Sequence, residues 1–276
     1  MGKLIAVLAA LVAGFASAEL PSEISVDLKL DELDYVSGER VRGVVDMKNM
    51  APEVVSCGLP DSRDLLIVEV FRASDMMQLD SVATKPFVAP FKIGSNQGQK
   101  LELFLADYYP LREPSRYLAR PVLVHNGLRY VGQYRAFDIV PGMPSGGAMQ
   151  MFSNRPGLTR EFELVLWSRK GREHLFVTAR DSGVSDRKWR TTDVGSMMKI
   201  TKPTISILPT GEVVVLHRTS SDDFIRSEFW SMPDAIEFRS RQLVQDPETA
   251  GQNRVQEIYK ESGGVKAKGR PWWKFW

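Results

Sequence analysis

Hydrophobic and polar positions alternate along Ile24-Ser-Val-Asp-Leu-Lys-Leu30, which puts Ile24, Val26, Leu28 and Leu30 on one face of an extended segment. Val41-Arg-Gly-Val-Val-Asp-Met47 repeats the period after a Ser37-Gly38-Glu39 turn, and Leu65-Leu-Ile-Val-Glu-Val-Phe71 is a near-continuous run of β-formers. Further strand-like runs cover residues 99–105, 117–124 and 128–140. Asn126-Gly127 between the last two is a strong hairpin signal, because both turn positions need positive φ.

This spacing of short strands and turns predicts an all-β chain that opens with an immunoglobulin-like sandwich over residues 19–141. Tyr35-Val-Ser-Gly38-Glu39-Arg-Val41-Arg-Gly43-Val-Val45 resembles the strand–turn–strand segment of bacterial macroglobulin-type and related immunoglobulin-like domains. Glu113-Pro114-Ser115-Arg116-Tyr117, closing on Phe137-Asp-Ile-Val-Pro141, is similar to their final hairpin. Ser115 stands where those domains carry Gly, and their disulfide and its Trp are absent. The resemblance implies a fold and a role as spacer, adhesion module or docking surface, not a chemistry.

Residues 142–157 are rich in Gly, Pro and Ser and lose periodicity, so they are expected to be a linker. A second antiparallel β domain is expected over residues 158–245. Phe162-Glu-Leu-Val-Leu-Trp167 and His174-Leu-Phe-Val-Thr-Ala179 flank the charged turn Arg169-Lys170-Gly171-Arg172, and Thr204-Ile-Ser-Ile-Leu208 and Val213-Val-Val-Leu-His217 flank Pro209-Thr210-Gly211-Glu212. A displacement of about 38 residues lays the first hairpin on the second, a spacing near that of a propeller blade. The alternative is that two β-hairpins resemble each other by chance.

The first eighteen residues change the picture of where the chain works. Lys3, the apolar run from Leu4 to Phe15 and Ala16-Ser17-Ala18 form the pattern of a signal peptide cleaved near Ala18. Neither that run nor any later stretch has the roughly 20 apolar residues of a transmembrane helix. The expected destination is the periplasm or the medium. Cys57 is the only cysteine, so no intrachain disulfide forms, and it reads as a small buried residue rather than a nucleophile or crosslink. With 36 basic and 34 acidic side chains in 276 residues, a net charge of +2 gives no case for nucleic acid as partner.

Candidate chemistry is sparse. Of three histidines, His125 is expected to be exposed before its hairpin, while His174 and His217 are expected to be packed in strands. No motif for a metal or cofactor occurs, and none is expected. Asp181-Ser182-Gly183 resembles the Asp-Ser/Thr-Gly loop of aspartic proteases, although Arg180 precedes it and no second copy follows. That reaction needs two carboxylates sharing a proton, which Asp193 or a homodimer would have to complete.

Residues 246–276 are a polar segment and a basic, aromatic tail. It ends in Pro271-Trp272-Trp273-Lys274-Phe275-Trp276, where Trp272, Trp273, Lys274 and Trp276 are the candidate binding residues. The tail either folds back onto an apolar groove or contacts a membrane surface, a sugar or a protein.

The favoured expectation is a non-catalytic exported protein that binds an extracellular or envelope polymer, as a protein or glycan partner. The alternatives are an aspartic-type endopeptidase acting on extracellular glycoproteins, and a carbohydrate-binding module.

Overall fold

The protein is described by a computed structural model covering residues 23–59, 62–83, 87, 89–182 and 189–245. The expected leader (1–18), the tail residues Trp272, Trp273, Lys274 and Trp276, and Gly183 lie outside these residues. The fold is all-β, and among the described residues every strand pairing is antiparallel except one.

The first region holds β1 (Ile24–Leu30), β2 (Asp34–Val36), β3 (Arg42–Asn49), β4 (Val55–Cys57), β5 (Leu65–Arg72), β6 (Met77–Gln78), β7 (Phe91–Ile93), β8 (Gln97–Phe104), β9 (Ser115–His125), β10 (Leu128–Val131) and β11 (Arg135–Val140). The order β1-β3-β8 makes one sheet, β2-β11-β9-β5-β6 a second with β10 added to β9, and β4-β7 a small ribbon. The alternation in β1 works as read: Ile24, Val26 and Leu28 are buried, and Ser25 and Lys29 face solvent. They meet Val45 and Met47 of β3, Val68 and Val70 of β5, and Tyr117 and Phe137 of β9 and β11 in one apolar core shared by the two larger sheets. Asn126 and Gly127 turn the β9–β10 hairpin with φ of 50° and 78°.

The second region holds β12 (Met143–Met151), β13 (Thr159–Arg169), β14 (Arg172–Ser182), β15 (Trp189–Ser196), β16 (Thr204–Ile207), β17 (Glu212–Arg218), β18 (Phe224–Met232) and β19 (Ala235–Val244). They form two four-stranded meanders, β12-β13-β14-β15 and β16-β17-β18-β19. Phe162, Leu164, Leu175 and Val177 from the first meander share a core with Val213, Val215 and Phe229 from the second.

One expectation is corrected and one open alternative is narrowed. Residues 142–157 are not a plain linker: β12 runs through them and pairs with β13 along its length, with an irregularity between Pro144 and Gly146. Its glycines hid the strand by removing side-chain periodicity. Gly147 is needed there, because a Cβ on it would stand 2.6 Å from the Phe162 carbonyl oxygen. The displacement of about 38 residues lays β14 on β17, the third strand of one meander on the second strand of the next. It is therefore not a repeat of whole sheets.

Phe176 and Val165 explain why β13 and β14 read as nearly continuous apolar runs. Their side chains leave the second region's core on the opposite face and pack on Val36 of β2, with Val140 and Trp167 alongside. A strand buried on both faces loses the alternation of a half-exposed one.

Candidate functional site

The two regions meet at a joint that is apolar at its centre and ionic at its edge. Beside the Val36–Val165–Phe176 contact, Arg169 at the end of β13 reaches the turn after β2. Its guanidinium gives Glu39 two hydrogen bonds, at 2.8 and 3.1 Å, and gives the Asp34 carbonyl a third at 3.1 Å. It also contacts the Asp193 carboxylate at 3.3 Å, which in turn lies 3.0 Å from His174 Nδ1. The Arg169 and Glu39 side chains are only 10% and 14% exposed. Burial opposes the Arg169 charge, yet the hydrogen bonds and negative charge of Glu39, with Asp193 beyond, hold its pKa above the ordinary value.

Backbone pairing fixes the same joint. Thr191 of β15 donates its N–H to the Gly38 carbonyl at 2.9 Å and its hydroxyl to the Ser37 carbonyl at 2.6 Å. Glu39 and Thr191 form an isolated parallel bridge. The sequence marked Gly38-Glu39 only as a turn, and nothing in the local pattern announces that its partner lies some 150 residues away.

Next to this bridge lies an open cleft of about 660 Å³ with charged side chains among its lining. Arg40 and Arg112 come from the first region and Arg190 from β15, with Asp107, Asp234 and Glu237 around them. Arg40 pairs with Asp107 at 2.5 Å and lies over the Phe104 ring, 3.6 Å from its centroid. Arg190 donates to the Ile236 carbonyl at 3.2 Å.

The predicted acids are placed apart. Asp193 sits opposite Phe176 on β14. Asp181 stands five residues further along that strand, about 16 Å away at the usual rise per residue. Asp181 is 4% exposed and its two carboxylate oxygens are held by Arg160 at 2.5 and 2.9 Å. Arg160 also donates to Ser231 Oγ and to the Met232 and Ala235 carbonyls, so the pair clamps the β18–β19 turn onto β13 and β14. A single chain therefore does not assemble Asp181 and Asp193 into a carboxylate pair.

The other singled-out side chains are structural. Cys57 is buried, and burial, together with the charge of Asp64, pushes its thiol up to about 12, so it stays protonated at neutral pH. His125 is buried rather than exposed, which corrects the expectation. Its Nδ1 lies 2.8 Å from Asp64 Oδ2, tying the β4–β5 connection to the hairpin, and Asn126 covers Nε2 at 3.1 Å. His217 is buried as expected, and burial pushes its imidazole down to about 4. Among the described residues no group of three or more metal-binding side chains occurs, and no helix is long and apolar enough to cross a membrane.

No protein-family model matches the chain, and no curated protein matches it. Among solved structures, the sporulation control protein Spo0M of Bacillus subtilis is similar at 10% identity over 87% of this chain and 97% of that one, with a TM-score of 0.31. A likeness that slight assigns neither fold nor function.

Proposed function

We propose that this is an exported, non-catalytic protein of two β modules that binds an extracellular or envelope polymer or protein partner. In this reading the first module is an immunoglobulin-like sandwich, supported by two sheets around one core, and the second is a pair of blade-like meanders. One observation carries the binding role: the joint at Arg169 and Thr191 holds the two modules in a fixed relation beside an open cleft. Ligand sites favour such module boundaries. The protease alternative has less support, because Arg160 already engages the Asp181 carboxylate on both oxygens. A homodimer would have to bring the second acid to a buried first one.

The test is retention of the purified protein on envelope material, read beside hydrolysis of a glycoprotein substrate. Saturable retention with no hydrolysis supports the proposal. Pepstatin-sensitive hydrolysis that disappears in Asp181→Asn overturns it.

A further inference from the structure

We infer that β8 is a self-association edge: two copies of the chain pair antiparallel along it, about a two-fold axis at Leu101, and join their three-stranded sheets into one. This goes beyond the proposed binding role and does not depend on it.

The sheet β1-β3-β8 has two edges, and the chain itself covers one of them. Met50 donates to the Glu23 carbonyl, and Leu105 donates to the Val41 carbonyl. By the alternation of an antiparallel ladder, β3 therefore bonds β1 through Val44, Asp46 and Lys48, and β8 through Gly43, Val45 and Met47. The outward backbone groups of β1 are then those of Val26 and Leu28. Arg135 donates to the Leu28 carbonyl at 2.9 Å, and a Cβ on Gly132 would stand 2.6 Å from the Val26 carbonyl oxygen. On β8 the outward backbone groups include those of Gly98, Lys100 and Glu102, all three exposed. Among the described residues nothing hydrogen-bonds to them and no strand pairs with that edge. β8 meets β3 over its whole length without a bulge, and so regular an edge is a template for another strand.

The order of charges selects a second copy as that strand. Lys100 and Glu102 share the outer face on either side of Leu101. Pairing about Leu101 sets Lys100 opposite Glu102 of the partner subunit, and the symmetry repeats the contact. Both are residues with outward backbone groups, so each such pair exchanges both of its ladder hydrogen bonds. Leu101, half-buried at the margin of the core, meets its own copy on the inner face. Lys100 makes no ion pair among the described residues. Glu102 is forked by Arg42 at 2.8 and 2.9 Å but is exposed and keeps acceptor sites on both oxygens.

A register centred on Lys100 or on Glu102 opposes like charges, which is unfavourable. An unrelated peptide gains the backbone bonds but not the matched charges. The other long edges are blunted. β12 is irregular between Pro144 and Gly146, and on β19 the same operation about Ser240 sets Arg239 against Arg241.

The experiment is sedimentation of the full-length protein across about 1 μM to 1 mM, with amide exchange read at both ends of the range. A reversible dimer is expected, and the Lys100 and Glu102 amides exchange more slowly as it forms. Lys100→Glu or Glu102→Lys alone puts like charges across the axis twice and weakens the dimer about tenfold. The double exchange restores it, because the two positions only trade roles. An equimolar mixture of the single variants also restores it, since every cross pair is again opposite in charge. Unchanged thermal unfolding confirms that the variants fold.

A protein that stays monomeric throughout, a dimer that leaves the Lys100 and Glu102 amides unprotected, or a dimer indifferent to both single reversals overturns the inference. So does a double variant or a mixture no better than the single variants. The defect would then lie in the lost Arg42–Glu102 pair, not in the pairing of two copies.

Discussion

The second β region buries more polar and charged side chains than the first. Among the described residues, the buried polar side chains of the first region are Ser37, Asn49, Glu69 and His125. The smaller second region buries nine: Arg160, Thr178, Asp181, Thr191, Glu212, His217, Arg226, Ser227 and Ser231. Asn49 shows how the first region handles the exception, since its amide donates to the Glu53, Ile93 and Gly94 carbonyls and its oxygen accepts from Ala51 N–H. In the second region, the complete Arg160–Asp181 ion pair sits among the strands. Buried pairs add little net stability but are costly to break, so the two regions should fail under different insults.

The sharpest way to break that contrast is Arg160→Met, which leaves Asp181 buried without its cation. The expected cost is about 3–5 kcal/mol. All six tryptophans lie at or beyond Trp167, so intrinsic fluorescence during urea unfolding reports this region and the tail alone. Arg160→Met combined with Asp181→Leu should recover most of the loss, because it removes both charges. If the double substitution is as damaging as the single one, the clamp on the β18–β19 turn matters more than the ion pair. The matching insult to the first region is Leu28→Ala, with a loss of about 3 kcal/mol from lost contacts and a residual cavity. Amide exchange should accelerate in β1, β3 and β8 while β17 and β18 stay protected.

His217 provides the next test and applies to the second region only. Its side chain continues the inward face of Val213 and Val215 on β17. Burial pushes its imidazole from 6.5 down to about 4, with Arg241 and His174 adding to the depression and Asp193 opposing it. The folded state therefore binds this proton less readily than the unfolded chain. The stabilising contribution is complete above about pH 6.5 and is lost as pH falls toward 4, for a total of roughly 2–3 kcal/mol by pH 4.5. Urea midpoints by tryptophan fluorescence at pH 7.5 and 4.5 measure it. His217→Leu should flatten that difference, and an equal pH dependence in both proteins would assign the acid sensitivity to other groups.

Local patterning revealed what depends on local patterning. The strand over Ile24–Leu30 was legible to the residue, and the hairpins at Asn126-Gly127 and Lys170-Gly171 followed from turn chemistry alone. β12 was missed because Gly146 and Gly147 carry no side chains to alternate. His125 was misplaced because adjacency to a turn suggests exposure, whereas Asp64 from a distant segment covers it. The joint and its cleft were invisible for the same reason: Glu39, Arg169 and Thr191 come together only through the packing of two modules. A single sequence shows which residues are polar but not which distant polar residue each one meets.

The smallest effect compares two nearly identical turns. Asn126-Gly127 has φ of 50° and 78°, and Lys170-Gly171 has 51° and 76°. Asn tolerates the left-handed region because its short side chain bonds locally, whereas Lys has no such compensation. Lys170→Asn should therefore stabilise the second region by about 0.5 kcal/mol, and Asn126→Lys should destabilise the first by at least that much, since it also uncovers His125 Nε2. The opposing factor is the Lys170–Glu32 ion pair at 2.7 Å, in which the lysine is 73% exposed. Exposed pairs contribute little, so the backbone gain should win. A lower urea midpoint for Lys170→Asn would mean that this pair, spanning the two modules beside Arg169 and Glu39, contributes more than an exposed pair does. The joint would then extend further across the surface than its buried members indicate.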